Sequence, residues 1–378
     1  MRVGISGSYG GMNLGDEAIL DGILGQFRNI AATEITVLSH NPLDTLTRHK
    51  VDHAIPVRRL NRREVARELS ALDVLILGGG GILYDGEAEA YLREVFIAHD
   101  LGVPVATYAI SAGPLARTAS RAAVRDALNA SALITVRDSM GYRLLEDVGV
   151  TKEIHLTADP AFLLEPEPLP PEALITEGID LDRKLVAFSV REPGPAAPDM
   201  DPAQYFALLA QAADFIIDRY DAEVVFVPME KTDVQHSHAV VASMRNAEQV
   251  EIMRRSYSPR QVLDLMGHFD FGVGMRLHFL IFAAMRGVPF TALPYAPKVA
   301  GLLEDLAMES PPLGDTGIGQ LIARIDHKWD TREKLRANIR DRLPGIRRRA
   351  RQTGHLIESW LLASGRVRRR AEDSATTR

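Results

Sequence analysis

The sequence predicts an α/β protein with two doubly wound, Rossmann-like domains that face each other across a cleft. Short apolar strands alternate with helical segments, a proline-rich stretch interrupts the alternation once, and the alternation then resumes. With 378 residues, 46% of them hydrophobic, the chain is long enough for two domains. It has no cysteine, which excludes thiol catalysis, thiolate zinc sites and disulfides.

The first domain is predicted from six strands and the helices between them. Runs of apolar residues indicate strands that are buried on both faces, as in a parallel sheet. These strands are Arg2–Ser6, Glu34–Ser39, Val74–Leu77, Val105–Ala109, Leu133–Val136 and Glu153–Leu156. The intervening helices, indicated by a helical period of apolar residues, are Glu17–Arg28, Arg62–Leu69, Glu89–His99, Ser120–Asn129 and Met140–Val148.

A linker follows, because the four prolines of residues 165–171 fit neither a helix interior nor a central strand. The predicted strands of the second domain are Leu185–Val190, Glu223–Pro228, Val250–Met253, Phe271–Val273 and Phe290–Leu293. Its predicted helices are Pro202–Tyr220, Val234–Asn246, Pro259–His268 and His278–Arg286. We therefore predict an N-terminal domain at 1–164, a linker at 165–182, a C-terminal domain at 183–330, and a C-terminal helix with a basic tail at 331–378.

Ligands of doubly wound domains bind where strands end and helices begin, and the first such point is rich in glycine. Gly10 and Gly11 allow a ligand to approach the backbone closely, and the helix start that follows is a potential anion site. The spacing matches neither a dinucleotide fingerprint nor a phosphate-binding loop. Asn13, Asp16 and Glu17 could bind sugar hydroxyls or cap the helix, and a purely structural turn is the alternative.

Four consecutive glycines, Gly78–Gly81, follow another buried strand. Such a run is costly in chain entropy, so either a ligand or a neighbouring turn must come close to Gly79, Gly80 and Gly81. The run alone does not say which.

Cationic residues also follow the predicted strands. Arg137 and Arg191 lie at strand ends, Arg276 and His278 open an apolar helix, and Lys298 opens the next helix. Because cations are unfavourable at helix N-termini, this pattern predicts an anionic ligand. The alternatives are a surface pair between Arg137 and its neighbour Asp138, and a core position for His278.

Six of these segments, in order, resemble the polysaccharide pyruvyl transferase family over roughly residues 1–310. They are Gly10–Leu20, Gly78–Gly81, Val136–Asp138, Asp159–Ala161, Gly274–His278 and Tyr295–Lys298. The resemblance implies a GT-B-like fold and transfer of the enolpyruvyl-derived group of phosphoenolpyruvate to a glycan sugar as a cyclic ketal. It further implies a role in bacterial cell-wall or exopolysaccharide assembly, often on lipid-linked precursors.

The resemblance also implies the donor site. Arg276, Leu277 and His278 would contact phosphoenolpyruvate, with Arg137 and Lys298 as further anion contacts; Arg117, Arg125 and Arg191 compete for the place of Arg137. Arg276 and His278 would be catalytic, since ketal formation needs an acid to protonate the methylene carbon. Phosphoenolpyruvate would be a co-substrate, and no cofactor is expected.

Two alternatives have the same fold: a glycosyltransferase that uses a nucleotide sugar, and a glycan-binding protein without activity. The sequence shows no metal-ligand spacing, and the net charge of −6 disfavours nucleic acid as a partner. With no apolar run long enough to span a membrane, the expected location is cytoplasmic.

The C-terminal segment is basic. Between Arg342 and Arg370 the chain has nine arginines and one acid, Glu358. This charge predicts weak peripheral contact with an anionic membrane at its inner face, and a solvated helix with a frayed tail is the alternative.

Overall fold

A computed structural model describes residues 1–28, 30, 33–192, 201–293, 297–309 and 317–365. The described chain divides into two compact units, each built from parallel strands and helices. The first unit contains residues 1–11, 19–163 and those from 348 onward, and the second contains 12–18 and 164–347. The parallel sheets confirm the predicted α/β fold class.

The first unit has two parallel sheets. One consists of β1 (Arg2–Ser6), β2 (Glu34–Leu38), β3 (His53–Ile55), β4 (Val74–Leu77) and β6 (Val105–Thr107). The other consists of β5 (Gly80–Leu83), β7 (Ile110–Ala112), β8 (Ile134–Val136) and β9 (Ile154–Leu156). The strand orders are β3-β2-β1-β4-β6 and β5-β7-β8-β9.

Helices connect these strands: α1 (Leu14–Phe27), α2 (Pro42–Arg48), α3 (Arg62–Ser70), α4 (Ala88–Asp100), α5 (Thr118–Ala130) and α6 (Ser139–Asp147). Several begin at side chains that accept hydrogen bonds from backbone N–H groups of the first turn. Asn61 forms a capping box with Glu64 at α3, and Asp138 accepts from the Gly141 N–H at α6. Such caps satisfy donors that have no partner within the helix.

The glycine run after β4 leads into a further strand, because β5 begins at Gly80. A Cβ at Gly78 would lie 2.0 Å from the Tyr9 hydroxyl oxygen, and one at Gly79 would lie 3.0 Å from the carbonyl oxygen of Tyr108. Gly80 has a φ of +102°, which disfavours any other residue. Contacts within the protein therefore account for glycine at these three positions without a ligand.

The second unit has one parallel sheet, formed by β10 (Leu185–Ser189), β11 (Glu223–Phe226), β12 (Val250–Ile252), β13 (Phe271–Gly274) and β14 (Phe290–Ala292). The strand order is β12-β11-β10-β13-β14. Its helices are α7 (Pro171–Glu177), α8 (Pro202–Tyr220), α9 (Lys231–Val241), α10 (Pro259–Met266), α11 (Leu277–Met285), α12 (Pro297–Asp305) and α13 (Ile318–Asp330).

Residues 165–182, predicted as a linker, belong to the second unit and include α7. Pro171 occupies the first turn of α7, where its missing N–H costs nothing. The buried carboxylate of Glu177 accepts hydrogen bonds from the Arg254 and Arg255 N–H groups and from the Tyr257 hydroxyl. The proline-rich segment is thus packed rather than extended between domains.

The last helix, α14 (Arg332–Ala363), matches the helix predicted for the C-terminal segment. Its residues up to 347 belong to the second unit, and those from 348 onward to the first. Ile357 and Leu361 are buried in the same apolar cluster as β1, and the Thr353 hydroxyl lies 2.8 Å from that of Thr157. The arginines at 366–370 lie outside the described residues. No described helix is long and apolar enough to cross a membrane.

Candidate donor site in the second unit

The charged residues predicted to bind an anion lie at the carboxyl edge of the sheet in the second unit. Because its strands are parallel, the loops that leave their carboxyl ends all begin at one edge. Arg191 follows β10 and Arg276 follows β13. Glu230 and Asp233 follow β11, and Lys298 follows β14 in the second position of α12. Three cations and two carboxylates therefore leave one edge of one sheet.

Arg276 is held by two carboxylates. Its Nε lies 3.0 Å from Asp233 Oδ2, and its Nη2 lies 2.5 Å from Asp233 Oδ1 and 2.7 Å from Glu230 Oε2. The Arg276 side chain is 11% exposed and that of Asp233 is fully buried. Because a buried carboxylate needs compensating donors, this pair fixes the direction of the guanidinium.

Asp233 receives a further hydrogen bond from the backbone N–H of Met229, at 3.1 Å. It lies in the first turn of α9, where a negative charge is favourable. Arg276 is the N-cap residue of α11, where a positive charge is unfavourable without such a partner. The ion pair therefore joins the starts of two helices that leave neighbouring parts of the sheet edge.

His278 is the second residue of α11 and is half-buried. Leu277 beside it is buried, and the donor contacts predicted for Arg276, Leu277 and His278 stay predictions. An imidazole can give or take a proton near neutral pH. The structure thus places an imidazole two residues from an anchored guanidinium.

Arg191 acts electrostatically on a residue beside this group. Burial raises the pKa of Tyr205, and the positive charge of Arg191 opposes that shift. The Tyr205 hydroxyl in turn donates to the sulfur of Met275, the residue before Arg276. Lys298 is half-buried; residues 294–296 just before its helix lie outside the described residues.

The glycine-rich loop before α1 is divided between the units. Gly10 has a φ of +74°, and a Cβ there would lie 2.3 Å from Ser39 Oγ, whereas a Cβ at Gly11 would meet nothing within 4 Å. Asn13 is in the second unit and caps α1 by accepting from the Gly15 N–H at 2.9 Å. Its Nδ2 is 3.5 Å from Glu230 Oε2.

Asp16 and Glu17 form the acidic first turn of α1. Asp16 is half-buried, whereas Glu17 is fully buried. The structure therefore gives the helix-capping role to Asn13 rather than to these two acids. Their role in binding an acceptor stays a prediction, as does that of Gly81 within β5.

Arg137 is in the first unit, and its side chain is 3% exposed. Its Nη1 donates to Asp159 Oδ2 at 2.6 Å, and its Nε lies 3.6 Å from Asp138 Oδ2. The predicted surface pair is thus a buried one, dominated by a carboxylate 22 residues away. This internal partner accounts for the arginine, and a donor-binding role stays a prediction.

Sequence reasoning missed Glu230 and Asp233, which form the closest contacts of Arg276. Both lie just after a predicted strand, the same signal that singled out the cations. Among the described residues no group of three or more histidine, aspartate or glutamate side chains could hold a metal ion. That no metal or cofactor is needed stays a prediction.

Solved structures show which fold the chain has. The chain resembles S. aureus MnaA in complex with UDP with a TM-score of 0.69, at 10% identity over 98% of this chain and 99% of that one. A putative UDP-N-acetylglucosamine 2-epimerase from Listeria monocytogenes gives 0.64, at 13% identity over 98% and 99%. A Siraitia grosvenorii ugt transferase in complex with UDP gives 0.59, at 13% identity over 96% and 99%. The chain therefore has the two-domain GT-B-like fold.

The family is defined by sequence. The family model for polysaccharide pyruvyl transferase matches residues 13–297, which is most of the chain. No curated protein matches the chain at a significant level. The protein belongs to the polysaccharide pyruvyl transferase family, and it is therefore a transferase of polysaccharide biosynthesis.

The buried ion pair leads to a stability prediction. Asp233→Asn keeps the side-chain shape but removes the charge and turns a nitrogen toward donors, so the free energy of unfolding should fall by ~3–5 kcal/mol. Chemical denaturation measures this loss.

Asp218→Asn is the matched control, because Asp218 forms an exposed pair with Arg245 in the same unit. Removing that pair should cost at most ~1 kcal/mol. Equal losses in the two variants would show that Asp233 does not hold Arg276 as described.

Proposed function

We propose that the protein transfers the enolpyruvyl-derived group of phosphoenolpyruvate to a glycan sugar and so forms a cyclic pyruvate ketal. Family membership supports the pyruvyl transfer and the glycan acceptor. The observation that carries the choice of donor is the anchored Arg276, with Arg191, Lys298 and His278 at the same sheet edge. Phosphoenolpyruvate has a carboxylate and a phosphate, and several cations at close quarters are what such a ligand requires.

Asp233 contributes by holding the Arg276 guanidinium in one direction before the donor arrives. Pre-organised charge is more effective than charge that must reorient, because the ordering cost has already been met in folding. Asp233 and Glu230 together offset the charge of Arg276, which leaves Lys298 and Arg191 to balance the charge of the donor. Arg276, Lys298 and Arg191 would thus share phosphate and carboxylate recognition.

His278 would carry the proton. Protonation of the donor methylene carbon gives a cation at the adjacent carbon, and one sugar hydroxyl attacks that carbon. The phosphate then leaves with its bridging oxygen, and a second hydroxyl closes the ring. The methylene carbon gains one proton and the two hydroxyls lose one each, so one of these protons passes through the acid–base group and the other leaves with the phosphate.

The acceptor would be a precursor of a bacterial cell wall or exopolysaccharide, carried on a lipid. This part rests on the sequence resemblance.

The two structures bound to UDP raise the alternative of a nucleotide-sugar donor. Incubation of the protein and glycan acceptors with phosphoenolpyruvate or with nucleotide sugars tests both. Phosphate release with a ketal detected by mass supports the proposal, whereas release of nucleoside diphosphate, or of neither product, contradicts it.

Donor binding gives a prediction for Lys298. Lys298→Ala should weaken phosphoenolpyruvate binding roughly ten- to a hundredfold, since a charge-assisted contact is worth ~1.5–3 kcal/mol. Arg276→Lys should weaken it as well, because lysine lacks the planar fork. Isothermal calorimetry measures both affinities, with Lys334→Ala, an exposed lysine of α14, as control. Unchanged affinity in Lys298→Ala and Arg276→Lys would remove these residues from the donor site.

Proton transfer gives a prediction for His278. His278→Ala should lower turnover by ~10²–10⁴ while donor affinity changes much less. If His278 were only a packing residue, the melting temperature would fall and activity would follow the folded fraction. Turnover and thermal unfolding measured on one preparation separate these cases, and a stable, fully active variant contradicts the catalytic role.

We also propose that exposed arginines of α14 contact an anionic membrane surface. Arg340, Arg342, Arg348 and Arg351 are exposed along this helix, while Ile357 and Leu361 are buried. The arginines therefore remain available to lipid phosphate groups after the helix has packed. A lipid-linked acceptor would make such contact useful, because it concentrates the enzyme at its substrate.

Vesicle sedimentation tests this contact. Arg348→Gln with Arg351→Gln should weaken binding to vesicles rich in phosphatidylserine about thirtyfold at low salt, at ~1 kcal/mol for each arginine. Arg254→Gln with Arg255→Gln, an exposed pair elsewhere on the second unit, should not change it. A chain ending at Gly365 separates the tail from the helix. Binding lost only in that shortened chain, or absent from every variant, contradicts a role for the helix.

A further inference from the structure

The backbone conformation at Gly15 does not require a glycine. It is the second residue of α1, and its φ lies outside the left-handed region that favours glycine. Within a helix, glycine costs up to ~1 kcal/mol relative to alanine. A conformational requirement of the backbone therefore does not explain this residue.

The contact that does explain it is with His278. A Cβ at Gly15 would lie 2.0 Å from His278 Nδ1, 2.6 Å from Cγ and 2.8 Å from Cε1. These distances are far shorter than any real carbon contact, so the imidazole lies directly against the backbone of Gly15. The His278 side chain is half-buried, and Gly15 is buried.

The backbone that the imidazole touches is itself anchored. Asn13 and the first residues of α1 belong to the second unit. Hydrogen bonds and contacts within that unit hold them in place. Asn13 caps α1 and approaches Glu230, and the Leu14 N–H donates to the Met229 carbonyl oxygen at 2.8 Å. Gly15 follows directly. The surface that faces His278 is therefore tied to the loop that carries the carboxylate partners of Arg276.

We propose that Gly15 is a positioning residue whose missing side chain sets the orientation of the His278 ring. Nδ1 is the ring nitrogen nearest Gly15, and Nε2 is buried. This inference rests on the proposed function for the role of His278, but the contact itself does not depend on it. It gives the first turn of α1 a role in ordering the proposed proton-transfer group.

Gly15→Ala and Gly25→Ala form a matched pair in the same helix, because a Cβ at Gly25 meets nothing within 4 Å. Gly15→Ala should lower kcat roughly 10- to 100-fold, since displacing a catalytic group by about 1 Å has effects of this size. KM for phosphoenolpyruvate should change less than about threefold, because Arg276 keeps its partners. Gly25→Ala should leave both constants unchanged.

A double-mutant cycle separates positioning from general damage. If Gly15 acts through His278, Gly15→Ala adds no further loss of kcat in a His278→Ala background. If Gly15→Ala lowers the melting temperature, removing the imidazole in the double variant should restore it. Independent, multiplying losses of kcat, or a melting temperature that stays low in the double variant, would overturn the proposal.

Magnetic resonance spectra of the histidine side chains, recorded without substrate, test the position of the His278 ring independently of the reaction. The His278 ring resonance, assigned by its disappearance in His278→Ala, should move in Gly15→Ala and stay in place in Gly25→Ala. A moved resonance in a protein that makes no ketal would support the positioning role and contradict the proposed function. An unmoved resonance in Gly15→Ala would overturn the positioning role whatever the activity.

Discussion

The contact between the fully buried carboxylate of Asp233 and the guanidinium of Arg276 organises the second unit at its carboxyl edge. A carboxylate without exposure is stable only with donors around it, and Asp233 takes them from Arg276 and from the Met229 N–H. Because these groups begin or precede α9 and α11, the pair sets where both helices start. The positions of Glu230 and His278 follow from those starts.

The parallel sheet makes this arrangement possible. Strands that run in one direction release all their outgoing loops at one edge, so residues far apart in the chain meet there. Arg191, Asp233, Arg276 and Lys298 follow four adjacent strands of one sheet, β10, β11, β13 and β14 respectively in chain order. In the first unit, Arg137 likewise follows a strand and is paired with a buried carboxylate, that of Asp159.

Glycine serves several purposes in this chain. Gly10 and Gly80 provide a left-handed backbone, and Gly78 makes room for the Tyr9 hydroxyl. Gly15 needs neither, and it leaves room for an imidazole. The glycines of this chain thus have different structural roles, and the atoms that surround each glycine determine its role.

The sequence by itself determined the fold class, because buried strands of a parallel sheet are continuous apolar runs, and β1 and β4 lie where these runs predict them. It also singled out Arg276 and His278, since cations at a helix start are unusual without an anion. Only the tertiary structure decided which charges are paired. Asp233 lies 43 residues before Arg276, and no local pattern joins them. Pairing depends on distances in space, which the parallel sheet sets when it brings remote strand ends to one edge.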